Sequence, residues 1–330
     1  MKITPSLFAF LALVSLSNGA TEECPHSAHA GHDHSVATPI GVMGGHVHKA
    51  GEWMFSYRHM FMNMEGMYQG DQQRSTSEVL NDFMMTPIDM QMQMHMFGAM
   101  YAPSDSITLV AMTNYISNEM IMENRMGVRS TMESEGLGDT SVGALFRLRQ
   151  IGSESVHAGL SIVLPTAGTN EKNSSGGTLP YGMQLGTGSW GIKPSLTYLN
   201  SAGDLSWGAQ ATAQFQLNDN ANGYRVGNSI STTAWTGYKV TENLSLLARV
   251  EAKSKGKIQG EHENLTVSMM SPLLNPENTG GSTIEAFIGA AYKSHGVTIS
   301  AEAGQTLWQD LNGTQLGYDW SMTFGASVAF

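Results

Sequence analysis

The chain has 330 residues, of which 14% are charged, and its formal net charge is -11. About a quarter of the residues are charged in an ordinary soluble domain, so this chain is unusually poor in charge. The acidic balance excludes nucleic-acid binding through a general basic surface. Beyond the N-terminal segment there is no run of about 18 apolar residues, which excludes a transmembrane helix in the rest of the sequence.

The N-terminal segment, residues 1–20, has the three parts of a secretory signal peptide. Lys2 supplies the positive charge, residues 7–16 form the apolar stretch, and residues 17–20 are small enough for cleavage. The sequence therefore predicts export across the inner membrane. The exported chain keeps one cysteine, Cys24, so it can form no internal disulfide.

Residues 21–50 form a histidine-rich leader with the composition of a linker, and we predict that it is disordered in the periplasm. Its candidate metal ligands are His26, His29, His32, His34, His46 and His48. Imidazoles spaced along a flexible chain can bind Cu(II), Zn(II) or Ni(II), and that binding should weaken below about pH 6.5 as they are protonated. The alternative is a solvated polar tail without a defined site.

From residue 51 to residue 330 the sequence repeats a strand-like alternation of apolar and polar residues. In the clearest segment, 204–216, Leu205, Trp207 and Phe215 alternate with polar residues. Twelve such segments can be recognised. They are 52–64, 88–101, 106–116, 138–149, 155–164, 187–199, 204–216, 226–239, 243–254, 283–293, 296–308 and 318–330.

The connections between these segments alternate between short and long, which is typical of an up-and-down barrel with tight turns at one end. We predict an all-β fold, an antiparallel transmembrane β-barrel of about twelve strands, with ten to fourteen as the bounds. An even number of strands puts both termini at the short-turn end. In the outer membrane of a Gram-negative bacterium that end faces the periplasm.

A soluble β-sandwich or a lipocalin-like barrel would also alternate, but segment length favours the membrane. Segments of about ten residues suit a tilted bilayer crossing. Aromatic residues such as Trp53, Tyr101 and Trp308 lie near segment ends, as they do in interfacial girdles. The last segment ends on Phe330, which resembles the terminal insertion signal of outer-membrane barrels.

Several motifs after residue 40 resemble a known family. They are Gly51-Glu52-Trp53-Met54, Gly98-Ala99-Met100-Tyr101-Ala102-Pro103, Leu137-Gly138-Asp139, Leu164-Pro165-Thr166 and Leu179-Pro180-Tyr181-Gly182-Met183. On these residues the chain resembles the outer-membrane family labelled as putative transporters of the MetA-pathway of phenol degradation. The resemblance implies an outer-membrane barrel with a transport-like role, and it fixes neither a substrate nor catalytic residues.

Two methionine ladders are candidates for a soft-metal site, because thioethers favour Cu(I). In the first, Met60, Met62 and Met64 share the face opposite the aromatic residues of segment 52–64, so we predict that they point into the lumen. In the second, residues 90–96, the polar residues Gln91, Gln93 and His95 suggest the lumen side, which sends the methionines to lipid. The alternative for both ladders is that methionine simply fills apolar space.

The charged residues at inward positions are the candidate channel lining. They are Arg58, Asp139, Arg147, Arg149, His157, Lys193, Arg249, Glu251, Glu285 and Glu302. Charges inside a barrel either face water or pair across it, so this set fits a pore with little ion preference or a closed interior of ion pairs.

The sequence contains no nucleophile elbow, phosphate-binding loop or zinc-protease motif, so we predict no enzymatic activity. The predicted function is an outer-membrane channel or transporter-like barrel for small solutes that requires no cofactor. The alternative is a metal-handling barrel, in which the leader and the first strands bind copper or another transition metal. The expected partners are the lipid bilayer, the barrel-assembly machinery and a small solute, with no nucleic acid.

Overall fold

The computed structural model describes residues 37–265 and 267–330. Their strands are β1 Trp53–Gly70, β2 Gln72–Arg74, β3 Met85–Ser104, β4 Ile107–Asn124, β5 Arg129–Leu137, β6 Thr140–Ile151, β7 Glu154–Leu164, β8 Gly191–Ala202, β9 Leu205–Gln216, β10 Tyr224–Arg225, β11 Ser229–Lys239, β12 Leu244–Lys255, β13 Gln259–Gly260, β14 Gly281–Ser294 and β15 Val297–Ala329. One α-helix, α1 Thr76–Asp82, follows β2, and three short 3-10 helices span Tyr181–Met183, Pro272–Leu274 and Pro276–Asn278. Within these residues no helix is both long and apolar enough to span a membrane.

Eleven of these strands form a closed antiparallel sheet in the order β1, β3, β4, β6, β7, β8, β9, β11, β12, β14 and β15, with β15 returning to β1. The long strand β15 crosses the barrel wall twice, and we call each crossing a stave. Its first half pairs with β14 from Val297 to Leu311, and its second half pairs with β1 as far as Ala329. Because every pairing is antiparallel, β15 must reverse its direction, and Gly313 provides a left-handed turn residue (φ 64°) there. The barrel therefore has twelve staves.

The two faces of the sheet differ in the way that a membrane barrel requires. On β12, Leu246 and Val250 are exposed on the outside, whereas Leu247 and Arg249 are buried on the inside. The second half of β15 repeats this pattern, with exposed Phe324 outside and buried Thr323 inside. An apolar exterior around a polar interior confirms the predicted transmembrane β-barrel.

Tight turns connect the strands at one end, and both Trp53 and Phe330 lie there. The backbones of these two residues exchange hydrogen bonds of 2.8 and 3.0 Å, which close the seam at the base of the barrel. At the opposite end the chain forms longer loops, including residues 165–190 and 256–280. We call these the short-turn end and the loop end.

The strands β1, β3 and β4 are longer than the sequence suggested, with 18, 20 and 18 residues. A bilayer crossing needs only about 9–11 residues, so they extend past the lipid at the loop end. Their outer face there is polar and exposed, as Gln91 of β3 and Glu119 of β4 show, and Glu133 of the neighbouring β5 is exposed on the same face. The predicted loops 65–87 and 117–137 are therefore largely strand, because water on the outer face removes the alternation that marks a membrane strand.

Candidate functional site: the barrel lumen

Residues 37–50 lie inside the barrel near its short-turn end, and we call them the plug. Polar side chains of the wall bind the plug backbone. The Nε2 atom of His157 lies 2.9 Å from the Gly44 carbonyl, Gln210 Nε2 donates to the Met43 carbonyl at 2.9 Å, and Arg147 Nη2 donates to the Val47 carbonyl at 3.0 Å. The prediction of disorder is therefore wrong for residues 37–50, because these partners come from distant strands and leave no pattern in the plug itself.

Apolar contacts hold the same segment. Val42 is buried against Leu199 of β8 and Trp235 of β11. At Gly41 an added Cβ would lie 2.5 Å from Arg249 Nη2 and 2.6 Å from Glu302 Oε1, so any other residue at this point would have to displace these two side chains. The plug thus reaches opposite sides of the lumen and narrows it.

Two of the predicted metal-binding histidines belong to the plug. His46 is exposed, and His48 is buried with its Nδ1 atom 3.2 Å from Glu52 Oε2. Their ring centroids are 4.7 Å apart, edge to face. His26, His29, His32 and His34, together with the predicted signal peptide, lie outside the described residues. Among the residues that the structure does describe, no group of three or more His, Cys, Asp or Glu side chains could hold a metal ion.

A network of ion pairs covers the inner wall on β12, β14 and β15. Arg249 binds Glu302 through two hydrogen bonds of 2.6 and 3.1 Å, and it donates to Glu251 at 2.7 Å. Lys253 continues the network to Glu285 at 3.3 Å. The Arg249 guanidinium also lies 3.7 Å from the centre of the Phe287 ring, a cation–π contact. The predicted lining charges on these strands are thus paired with one another on the inner wall.

The remaining predicted lining residues have different positions. Arg58 of β1 faces inward and contacts the Met43 sulfur of the plug. Lys193 of β8 is half-buried on the same face as the buried Thr197. Asp139 instead anchors the loop 165–190, since its carboxylate accepts hydrogen bonds of 2.8 Å from both the backbone and the hydroxyl of Thr187. Arg149 lies at the short-turn rim, where its Nε atom is 3.3 Å from Glu154.

The second methionine ladder points inward, so its predicted lipid-facing orientation is wrong. On β3, Gln91 and Gln93 are exposed on the outer face, and Met90 is buried on the inner one. His95 also lies on the outer face, where its Nδ1 is 2.8 Å from the hydroxyl of Tyr57 and its ring stacks on His59. The polar residues of this strand do face water, but that water lies outside the barrel and not in the lumen.

Both ladders therefore share the lumen side. The register pairs Met60 with Met94, Met62 with Met92, and Met64 with Met90 across β1 and β3. The pair Met64 and Met90 belongs to a buried core at the loop end, which we call the cap, and the pair Met62 and Met92 packs against it. Its buried members are Met64, Met67, Val79, Met90, Met120, Met122, Leu179, Met183 and Leu316.

The cap closes the loop end because several loops fold over it. Helix α1 contributes Val79, which is fully buried, and the loop 165–190 contributes Leu179 and Met183. Backbone hydrogen bonds from Met84 and Met85 to the carbonyls of residues 269 and 270 connect a third loop to this end. The lumen is thus covered by the plug at one end and by the cap at the other.

The family model described as "Putative MetA-pathway of phenol degradation" matches residues 86–261, more than half of the chain. The chain belongs to this family. The predicted family is therefore confirmed, and the matched range runs from β3 to the loop after β12. A search of curated proteins finds no match.

Comparison with solved structures supports the fold assignment. The COG4313 outer membrane channel from Pseudomonas putida F1 superposes with a TM-score of 0.62 at 13% identity, covering 88% of this chain and 100% of that chain. The NanC porin matches with a TM-score of 0.44 at 11% identity, covering 83% and 98%. The β domain of the Bordetella autotransporter BrkA matches with a TM-score of 0.45 at 11% identity, covering 86% and 100%. At 13% identity the likeness to the Pseudomonas putida channel shows the shared fold alone.

In this family member some residues that shape the lumen were not predicted from the sequence. Lys253 follows Arg249 and Glu251 at the same parity, so continuing the alternation along β12 would have found it. Gln210 and Thr108 are neutral, and nothing in their local sequence distinguishes them from other inward residues. Their role appears only when the plug is in place, because Thr108 Oγ1 accepts a hydrogen bond of 3.0 Å from the His48 backbone.

Proposed function

We propose that this family member is an outer-membrane channel that passes small polar solutes. The observation that carries the proposal is the closed barrel, apolar outside and ionised inside. A lumen lined by Arg58, Lys193 and the Arg249 network favours hydrated or polar molecules over apolar ones. Because both signs of charge are present, we expect little preference between anions and cations. The proposal gives the barrel no catalytic step.

The plug sets the size limit of this channel and acts as its gate. It crosses the lumen where the wall donors Arg147 and Gln210 hold its backbone. Its attachments are a few hydrogen bonds and a small apolar contact, so partial release costs far less than unfolding the barrel. Solutes pass when the plug moves aside, and the cap opens at the other end through its loops.

The proposed orientation in the membrane rests on the first and last residues of the barrel. Both Trp53 and Phe330 lie at the short-turn end, which faces the periplasm in outer-membrane barrels. The plug then narrows the periplasmic mouth, and the cap faces the outside of the cell. The bilayer contacts the apolar outer face, and the exposed Phe330 serves as the recognition signal for the barrel-assembly machinery.

The test is single-channel recording of the purified protein in a planar lipid bilayer. We expect small conductance steps for the wild type. In Gln210→Ala, the loss of a plug hydrogen bond worth about 1 kcal/mol should raise the open probability about fivefold. Gln93→Ala, which removes an exposed glutamine from the outer face, is the matched control and should behave as the wild type.

Two results would contradict the proposal. A folded protein that is silent at all voltages, with and without Gln210→Ala, would exclude an ion-conducting pore. Equal open probabilities in Gln210→Ala, Gln93→Ala and the wild type would leave the channel in place but remove the plug as its gate. Heat-dependent migration on gels checks that each variant is folded.

A further inference from the structure

The methionines of the cap form rows that cross neighbouring strands in register. Met64 of β1 lies opposite Met90 of β3, Met90 lies opposite Met120 of β4, and Met120 lies opposite Met132 of β5. Directly opposed residues on one face of a sheet have their Cβ atoms about 4.5–5.5 Å apart. Methionine side chains are long enough to bring their sulfur atoms together over that distance. The row therefore places four thioethers side by side.

A second row runs next to the first, one step closer to the middle of the barrel. Met62 lies opposite Met92, and Met92 lies opposite Asn118. Asn118 is 2% exposed and shares the inner face with Met120. Its Nδ2 atom donates to Ser134 Oγ at 3.2 Å, but its Oδ1 atom is buried without a hydrogen-bond partner among the described residues.

This unsatisfied oxygen is evidence for a ligand. A buried acceptor without a partner costs about 1–3 kcal/mol, so native structures seldom leave one in an apolar core. A bound cation between the two rows would give Asn118 Oδ1 the partner that it lacks.

We infer that the two methionine rows of the cap form a binding site for a soft monovalent cation of the Cu(I) or Ag(I) type. The ligands would be the thioethers of the row Met64, Met90, Met120 and Met132, and Asn118 Oδ1 would be an additional neutral donor. Thioethers select Cu(I), whereas Mg²⁺ and Ca²⁺ require oxygen ligands that include carboxylates. All donors in this set are neutral, which suits an ion of single charge.

The site has a route from the lumen. Met62, Met92 and Met132 are half-buried at the edge of the cap core, whereas Met90 and Met120 are almost completely buried. Below them, the opposed pair Met60 and Met94 continues the thioethers toward the plug. An ion that enters the lumen therefore meets half-buried methionines before it reaches the buried row. The inference does not depend on whether the barrel conducts solutes.

The first test compares two triple variants of the full mature protein in detergent, titrated with Cu(I) under anaerobic conditions against a chromophoric chelator. One variant is Met64→Leu/Met90→Leu/Met120→Leu, which keeps the side-chain volume but removes the sulfur. The control is Met126→Leu/Met269→Leu/Met270→Leu, at exposed positions in the loops. Any copper held by the leader is the same in both proteins. We expect the control to bind as many Cu(I) ions per protein as the wild type, and the first variant to bind at least about one fewer.

Equal numbers of bound Cu(I) ions in the two triple variants and the wild type would overturn the inference. A second measurement needs no stable core variant. Wild-type protein labelled with ¹³C in the methionine methyl groups is titrated with Ag(I) and followed by NMR. We expect the methyl signals of the row to shift before those of exposed methionines such as Met126. Saturation of the protein with Ag(I) without a shift in the row would equally exclude the site.

Discussion

The two ends of the lumen are closed by different kinds of interaction. At the short-turn end, wall side chains from β6, β7 and β9 bind the backbone of the plug through directional hydrogen bonds. At the loop end, the cap is an apolar core in which flexible methionine side chains fill the space beneath α1 and the loops. The plug is therefore held mainly by hydrogen bonds from single donor atoms, whereas the cap is held by the volume that its apolar side chains fill.

This difference determines how each end responds to substitution. Directional contacts are sensitive to the loss of one donor, even when the volume is preserved. An apolar core tolerates a change of chemistry at constant volume but not the loss of volume. At the plug end, a substitution that keeps the volume but removes a charge or a donor should therefore cost more stability than one that only reduces the volume. At the cap the order should be reversed.

The largest effect is expected where a buried charge beside the plug loses its partner. Arg249→Met keeps most of the volume but leaves Glu302 and Glu251 without their shared guanidinium. Removing one member of a buried ion pair costs about 3–5 kcal/mol. We expect the free energy of unfolding, measured by urea titration of the folded barrel in lipid vesicles, to fall by about this amount.

Two further variants sharpen this prediction. Arg249→Met/Glu302→Gln, which removes both charges of the closest pair, should recover part of the lost stability. Lys257→Met acts on an exposed ion pair with Glu277 and should cost about 0–1 kcal/mol. A loss in Arg249→Met no greater than that in Lys257→Met would show that the network contributes little.

The cap should respond to volume. Met120 is 1% exposed at the centre of the cap, and Met120→Ala should lower the free energy of unfolding by about 2–5 kcal/mol. Met120→Leu keeps the volume and should cost less than about 1.5 kcal/mol. The same urea titration measures both. Similar losses in the two variants would mean that the thioether, and not the filled volume, stabilises the empty cap.

The smallest effect is expected at helix α1, which covers the cap. Ser75 and Glu78 form a capping box, in which the Ser75 backbone N–H donates to the Glu78 carboxylate at 2.7 Å and the Glu78 backbone N–H donates to Ser75 Oγ at 3.3 Å. The Ser75 hydroxyl also donates to that carboxylate at 2.8 Å. These bonds to Ser75 lower the pKa of the Glu78 carboxyl. A lowered pKa in the folded helix means that the stabilisation is present above the ordinary glutamate pKa and is lost as the pH falls through the lowered value.

Amide exchange of residues 76–82, expressed as protection relative to the intrinsic rate, measures this effect. We expect the protection in the wild type to fall at acidic pH and that in Glu78→Gln to change much less. Strand β9, Leu205–Gln216, contains no titratable side chain, so the protection of its amides serves as the internal reference. A wild-type helix whose protection is independent of pH would show that the capping box does not stabilise α1.

Alternation was a reliable guide wherever a strand lies within the lipid. On β12 and the second half of β15 the apolar residues face outward as predicted, because lipid on one side and water on the other impose a period of two. On β3 the same reasoning failed at Gln91 and Gln93. There the strand has passed the bilayer, and water bathes its outer face while methionine fills the inside.

The plug illustrates a second limit. Its histidines and glycines have the composition of a linker, and nothing local distinguishes residues 37–50 from a disordered tail. Its order depends on His157, Gln210 and Arg147. Each of these residues is 100 or more positions along the chain from the plug residue that it binds. Only closure of the barrel brings these donors around one segment.

The sequence by itself determined the family, the antiparallel barrel, the short and long connections and most of the charged inner face. These follow from local rules, since the period of two and the turn residues are set within each strand. The tertiary structure alone decided that the plug enters the lumen, that both methionine ladders face the same interior, and that Asn118 lies beside them. Those features depend on which strands become neighbours and on where each strand leaves the bilayer, and neither is encoded in a single strand.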